Sequence, residues 1–103
     1  MRKKNKAMIK KEQEQRRVVH FNAKALGEGL VNSWWDSEDM GPNFSWDNVP
    51  ETARRLARVN CFTWFPNNTK ITKTLENFAA GVAYNAARSC IDSHREALEP
   101  SNE

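Results

Sequence analysis

The feature that most restricts the fold of this chain is the stretch from Ile71 to Cys90. Ile71, Leu75, Phe78, Val82, Ala86 and Cys90 recur at intervals of four, three, four, four and four residues, the spacing of one helical face. Ala79, Ala80, Gly81, Ala83 and Ala87 widen that face with small side chains, and small side chains let a second helix approach closely. A helix starting after Asn67-Asn68-Thr69, with Asn68 or Thr69 as its cap, and reaching about Leu98 before Pro100 is expected to be the spine of the fold.

Two further helices are expected. From about Asn5 to Trp35, Val18, Phe21 and Ala25, then Leu26, Leu30 and Trp34, recur three and four apart and predict an inward face, with Lys24 and Glu28 paired on another. Gly27 and Gly29 lie inside this pattern, each costing about 1 kcal/mol relative to alanine, so a bend or break is expected there. The next helix begins at Pro50, which fits a first turn, with Asp47, Asn48 and Glu51 supplying capping and favourable charge. Ala53, Leu56 and Ala57, with Asn60 and Trp64, continue it, and Pro66 stops it; if Leu56, Val59 and Phe62 are buried on one side, Trp64 and Phe65 cannot both follow. Between the first two helices lies the acidic segment Asp36 to Asn48. Gly41-Pro42-Asn43 gives it turn chemistry, and Phe44 and Trp46 are expected to pin it to the body. The reading is all-α: a small three-helix arrangement with a long acidic, aromatic-containing loop and a basic N-terminal arm. Residues 1–17 are the arm and residues 18–100 a single helical domain.

Charge is divided unevenly. Residues 1–17 carry eight basic side chains against Glu12 and Glu14, a net +6, so the remainder of a chain of overall charge +3 is at −3. A basic arm on an acidic body is drawn to nucleic acid, to an acidic protein face or to anionic lipid, and as a solvated tail it needs no partner. No apolar run approaches the ~18 to 20 residues of a membrane span, which leads us to expect a cytoplasmic protein. Cys61 and Cys90 are then expected as thiols and not as a disulfide, and the sequons at Asn43 and Asn67 as chance matches.

The residues for catalysis are missing in pattern. His20 and His94 are the two histidines, no serine sits in a nucleophile turn, the carboxylates of Asp36, Glu38 and Asp39 have no apolar shielding, and no glycine-rich phosphate cradle occurs. Cys90 and His94 share a helical face at i, i+4, and Cys61 with His20 would complete a tetrahedral set, but neither C-x-x-C nor H-x₃-H is present. No enzyme, metal or cofactor is expected.

Binding remains. "PETARRLARVN" has the character of the first part of a helix-turn-helix, with Arg54, Arg55 and Arg58 available for phosphates, yet the turn glycine is missing. "CFTWFPNN" also holds no Arg, Lys or Gln to read bases. The same arginines are otherwise the wet side of an amphipathic helix. The tryptophans sit at helix ends or in connections, and the adjacent Trp34 and Trp35 diverge by ~100°, so at least one is expected partly exposed. Trp34, Trp35, Trp64, Phe65, Pro66 and Asn67 are therefore the candidate partner surface. Lys3, Lys4, Lys10, Lys11, Arg16 and Arg17, with Arg54, Arg55 and Arg58, are the candidate contacts to nucleic acid or an acidic surface. An aromatic-proline pair such as Phe65-Pro66 in an exposed loop also offers a docking site for a cyclophilin-type prolyl isomerase.

Three segments carry a resemblance. "VNSWWDSEDMGPNFSW", "CFTWFPNN" and "TLENFAAGVAYNAARSCIDSHREAL" together resemble the anti-RecBCD accessory proteins of lambdoid phages, over most of the chain. The resemblance implies a non-enzymatic protein in the host cytoplasm. It would bind the host RecBCD helicase-nuclease, chiefly through RecC, and change how DNA ends are processed so that phage recombination proceeds. The alternative is a DNA-binding regulator with a degenerate helix-turn-helix and a basic arm.

Overall fold

The computed structural model describes residues 6–35 and 46–98. Three α-helices make the fold: α1, Lys6–Trp35; α2, Val49–Asn60; and α3, Lys73–Leu98. A 3-10 turn, Trp46–Asn48, leads into α2, and a second, Cys61–Trp64, prolongs it. No strand occurs among the described residues. Helix α3 packs along both α1 and α2, which touch each other much less, so it is the spine. The packing partners give the directions. The first turn of α3 meets α1 around Gln15 and Arg16, and His94 near the end of α3 meets Asn32, so α1 and α3 run parallel. Arg54 lies over Tyr84 and Arg58 reaches Asn77, so α2 runs antiparallel to α3.

The core is built from small residues repeating every fourth position. Helix α1 contributes Val19, Ala23, Gly27 and Val31; α2 and its 3-10 extension contribute Val49, Ala53, Ala57 and Cys61; α3 contributes Leu75, Ala79, Ala83, Ala87 and Ile91. Every-fourth-residue rows are the ridges by which helices interlock, and with little beyond Cβ on them the backbones come close together. The large side chains lie at the edges of this seam: Leu26, Leu30, Trp34, Trp46, Trp64, Phe65, Ile71, Phe78 and Val82 are partly buried against it.

The structure corrects several expectations. On α1 the buried row falls between the bulky residues: Leu26, Leu30 and Trp34 flank it, while Phe21 is 73% exposed and Ala25 lies in solvent. Helix α1 is not broken at Gly27 or Gly29. On α2, Val59 and Phe62 point outward, at 62% and 64% exposure, because burying Ala53, Ala57 and Cys61 turns them away from α3. Asn48 occupies the N-cap position of α2 but its side chain does not cap, since the preceding 3-10 turn holds its backbone in the helical region (φ −87°, ψ −12°). The cap of α3 is Thr72, not Asn68 or Thr69: its Oγ1 accepts the Leu75 N–H at 3.1 Å and its carbonyl accepts the Glu76 N–H at 3.0 Å. Residues 6–17 of the basic arm form the first turns of α1. The turn Gly41-Pro42-Asn43, Phe44, and the residues after Leu98 lie outside the described residues.

Gly27 shows how close the helices come. A Cβ there would stand 2.5 Å from the Ala83 carbonyl oxygen and 3.0 Å from the Ala87 backbone nitrogen, while one at Gly29 or Gly81 would meet nothing within 4 Å. Backbone atoms inside a helix cannot step aside as a side chain can, so the clash outweighs the ~1 kcal/mol of helix propensity that alanine adds. Gly27→Ala is expected to destabilise the fold by about 1–3 kcal/mol. Gly29→Ala and Gly81→Ala are each expected to stabilise it by about 0.5–1 kcal/mol. Urea denaturation of the three variants checks the opposite signs.

Candidate functional site

The elbow after α2 has a defined build. Asn60 Nδ2 donates to the Leu56 carbonyl at 2.8 Å and Thr63 Oγ1 to the Asn60 carbonyl at 2.6 Å, which holds the 3-10 turn against the end of α2. The Phe65 N–H donates to the Phe62 carbonyl at 3.3 Å, and Phe65 then becomes extended (φ −128°, ψ 160°), the conformation expected of a residue before proline. The Phe65–Pro66 peptide is trans, and the Thr69 N–H donates to the Pro66 carbonyl at 2.9 Å to close a turn over Asn67 and Asn68. Trp64 and Phe65 are half-buried and pack on the core, whereas Pro66, Asn67 and Asn68 are exposed. The elbow thus sends its last two rings inward and leaves Phe62 outside, beside Val59 on the same helical face.

Trp34 and Trp35 part company as their spacing requires. Trp34 packs on the core seam; Trp35 is clasped between Trp46, at 5.0 Å between ring centroids, and the His94 imidazole, stacked at 4.5 Å and 19°. Trp46 therefore ties the end of the acidic segment to the body, as expected of it. Beneath this stack His94 Nε2 lies 2.7 Å from Asn32 Oδ1, which Cys90 Sγ also approaches at 3.5 Å. The Asn32 carbonyl oxygen accepts, so the imidazole and the thiol both act as donors to one acceptor. Cysteine, histidine and asparagine are together here, but no imidazole nitrogen takes the thiol proton. Burial and the nearby Glu28 carboxylate also push the Cys90 thiol above its ordinary value, the reverse of an activated thiolate. The trio is a clamp between the C-terminal ends of α1 and α3.

The arginines of α2 are largely committed within the chain. Arg54 pairs with Glu51 at 3.2 Å and its guanidinium sits 4.5 Å over the Tyr84 ring; Arg58 Nη2 is 3.5 Å from Asn77 Oδ1; Arg55 is exposed. The segment after α2 also departs from the expected motif: residues 65–72 separate its 3-10 extension from α3, against the three- to four-residue turn of a helix-turn-helix. Lys10, Lys11, Arg16 and Arg17 lie exposed on α1, with the Arg16 guanidinium 4.9 Å over the Phe78 ring; Lys3 and Lys4 lie outside the described residues. Both cysteines are free, and among the described residues no three His, Cys, Asp or Glu side chains gather as metal ligands. Among them, too, no helix is long and apolar enough to cross a membrane.

Reasoning from sequence missed Val59, Phe62 and Phe21 as surface. The signal that locates them is the alanine row: once Ala53 and Ala57 are taken as the centre of the buried face of α2, Val59 falls outside it. No protein-family model, curated protein or solved structure matches this chain.

Cys61 is fully buried, and burial, aided by the Glu76 carboxylate, raises its thiol above the ordinary 9.0. The unfolded chain therefore ionises this thiol first. Its contribution to stability is fully present below pH 9 and is lost as pH climbs toward the folded value. Wild type is expected to lose stability between pH 8.5 and pH 10 more steeply than Cys61→Ala, as measured by urea denaturation across that range.

Proposed function

We propose that this protein acts by binding, docking on a larger host DNA-processing complex and altering its work. The resemblance to anti-RecBCD proteins gives the specific form of this reading: RecBCD as target, chiefly through RecC, in the host cytoplasm, to the benefit of phage recombination. The observation that carries a binding mode is the uncovered apolar surface at the end of α2. Val59 and Phe62 present 62% and 64% of their surface to solvent, next to the exposed Pro66 and Asn67. An exposed ring beside a branched aliphatic side chain at a helix end supplies contact area with little ordering cost.

A non-enzymatic mode agrees with the chemistry of the thiols, which are held protonated. The exposed Pro66 turn suits a prolyl isomerase as an additional partner. The other reading, a duplex-DNA regulator working through α2, has less behind it. Arg54 and Arg58 are engaged within the chain, and no short turn leads from α2 to a reading helix.

Because Trp64 and Phe65 also serve the core, replacing them would mix folding with binding. The cleaner variants are Phe62→Asp and Val59→Asp, whose side chains already stand in water. Purified protein is expected to capture purified RecBCD, and each variant to lose at least tenfold in affinity while keeping the helical circular dichroism of wild type. Absence of any complex with wild type, or full retention by both variants, would overturn the proposal. Asn85→Ala, at an exposed position of α3, is expected to leave capture unchanged.

A further inference from the structure

The outer face of α1 combines charge and an open aromatic ring in a way that the α2 surface does not. Arg16, Arg17, His20, Phe21 and Lys24 line an open groove of ≈ 540 Å³, with Phe78 of α3 at its inner wall. Glu28, at one end, is the single carboxylate lining it. Phe21 is 73% exposed, the most exposed large apolar side chain among the described residues. Phe78, by contrast, is half-buried and already covered by the Arg16 guanidinium. The charged track continues toward the helix N-terminus, where Lys6, Lys10 and Arg17 line a second hollow against one carboxylate, Glu14.

Three features of this face select its ligand. Lys6, Lys10, Arg17, His20 and Lys24 follow the three-, four- and seven-residue spacing of one side of a helix. At ~1.5 Å per residue they form a track about 27 Å long with a donor every ~5–10 Å. Such a line fits a linear polymer carrying regular negative charge better than a compact anion. Phe21 stands within the line, so the polymer must also offer flat apolar faces; nucleic-acid bases do, and in a single strand they are uncovered. A duplex hides those faces in its stack. A membrane-surface helix would need a broad stripe of bulky apolar residues; α1 exposes Met8, Ile9 and Phe21, with Phe21 three turns away from the other two, while its continuous apolar row is turned inward onto α3.

We propose that the outer face of α1 binds single-stranded nucleic acid, with Arg17, Lys24 and Lys10 meeting phosphates, His20 donating from its ring, and Phe21 stacking on a base. This site shares no residue with the Val59–Phe62 surface and does not depend on it.

The test is fluorescence anisotropy of a labelled mixed-sequence 15-mer, single-stranded and as its duplex, with the full chain between 50 and 200 mM NaCl. Single strand is expected to bind at least tenfold tighter than duplex. Phe21→Ala is expected to weaken it about tenfold at every salt concentration with the salt slope unchanged. Arg17→Gln with Lys24→Gln is expected to flatten the slope of log K against log salt by about 1.4, two phosphates at ~0.7 each. Phe21→Trp, which keeps a stacking ring, is expected to retain affinity. No single-strand binding at 50 mM salt would overturn the proposal, as would equal binding of duplex or an unaltered affinity in Phe21→Ala. Tighter binding to phosphatidylserine vesicles or to polyglutamate than to the oligonucleotide would overturn it as well. Phe21→Ala is expected still to capture RecBCD and Phe62→Asp still to bind the oligonucleotide, so failure of one site is told apart from failure of the other.

Discussion

The approach of α1 to α3 at Gly27 sets the terms for everything else. At that point the backbone of one helix meets the Ala83 carbonyl and the Ala87 amide of the other with no room for even a methyl group between. Rows of alanine continue the contact along α3 and across to α2. Dispersion contacts grow with closeness, so a seam of this kind holds through dense backbone and Cβ packing. Each buried alanine nevertheless removes far less apolar area from water than the ~1.5–3 kcal/mol worth of a fully buried leucine or phenylalanine. The missing area has to come from elsewhere in a chain of 103 residues.

It comes from the margins. Large rings cannot enter a seam this narrow, so Trp34, Trp46, Trp64, Phe65 and Phe78 pack along its rim, each partly in contact with the core and partly open. Polar and charged partners complete their cover: the His94 imidazole stacks on Trp35, the Arg16 guanidinium covers Phe78 and that of Arg54 covers Tyr84, each such cation contact giving about 0.5–1 kcal/mol at an exposed site. A rim of this kind explains why rings gather at the helix junctions in the sequence. It also shows that a ring at a junction is not thereby a free surface, as Trp64 and Phe65 demonstrate.

The helices themselves were legible in the sequence. Pro50 and Pro66 bracket α2, and the apolar spacing from Ile71 to Cys90 places α3 to within a turn and marks it as the spine. Helix faces were less legible, for one physical reason. Periodicity weighted by bulk points to Phe21, Leu26 and Leu30 on α1 and to Leu56, Val59 and Phe62 on α2. In a close-packed seam the centre of the buried face belongs to the smallest residues, and bulk marks only its edges. The error on α1 and α2 is the same rotation of the face, and it hid both exposed aromatic sites. Gly27 illustrates the point: propensity counts it as a weakness in the helix, while the packing makes it the residue on which the seam depends.

The same geometry decides where binding can happen. Helix α3 is engaged on two sides and among the described residues its exposed positions carry no large apolar side chain, and the clamp of Asn32, Cys90 and His94 closes its far end onto α1. Uncovered apolar surface is left on the outer sides of α1 and α2, the two helices that flank the spine. The two sites then differ in what surrounds the ring. Phe21 stands among Arg17, His20 and Lys24, a setting that favours an anionic chain with stackable faces. Phe62 sits with Val59 next to the uncharged Pro66–Asn68 turn, with Arg55 and Arg58 one helical turn back, so its ring has an exposed apolar neighbour of the kind found at the apolar centre of a protein interface. A thin core of alanine thus leads to two distinct surfaces, one on each helix packed against the spine, because the phenyl rings that the seam excludes have different neighbours on α1 and on α2.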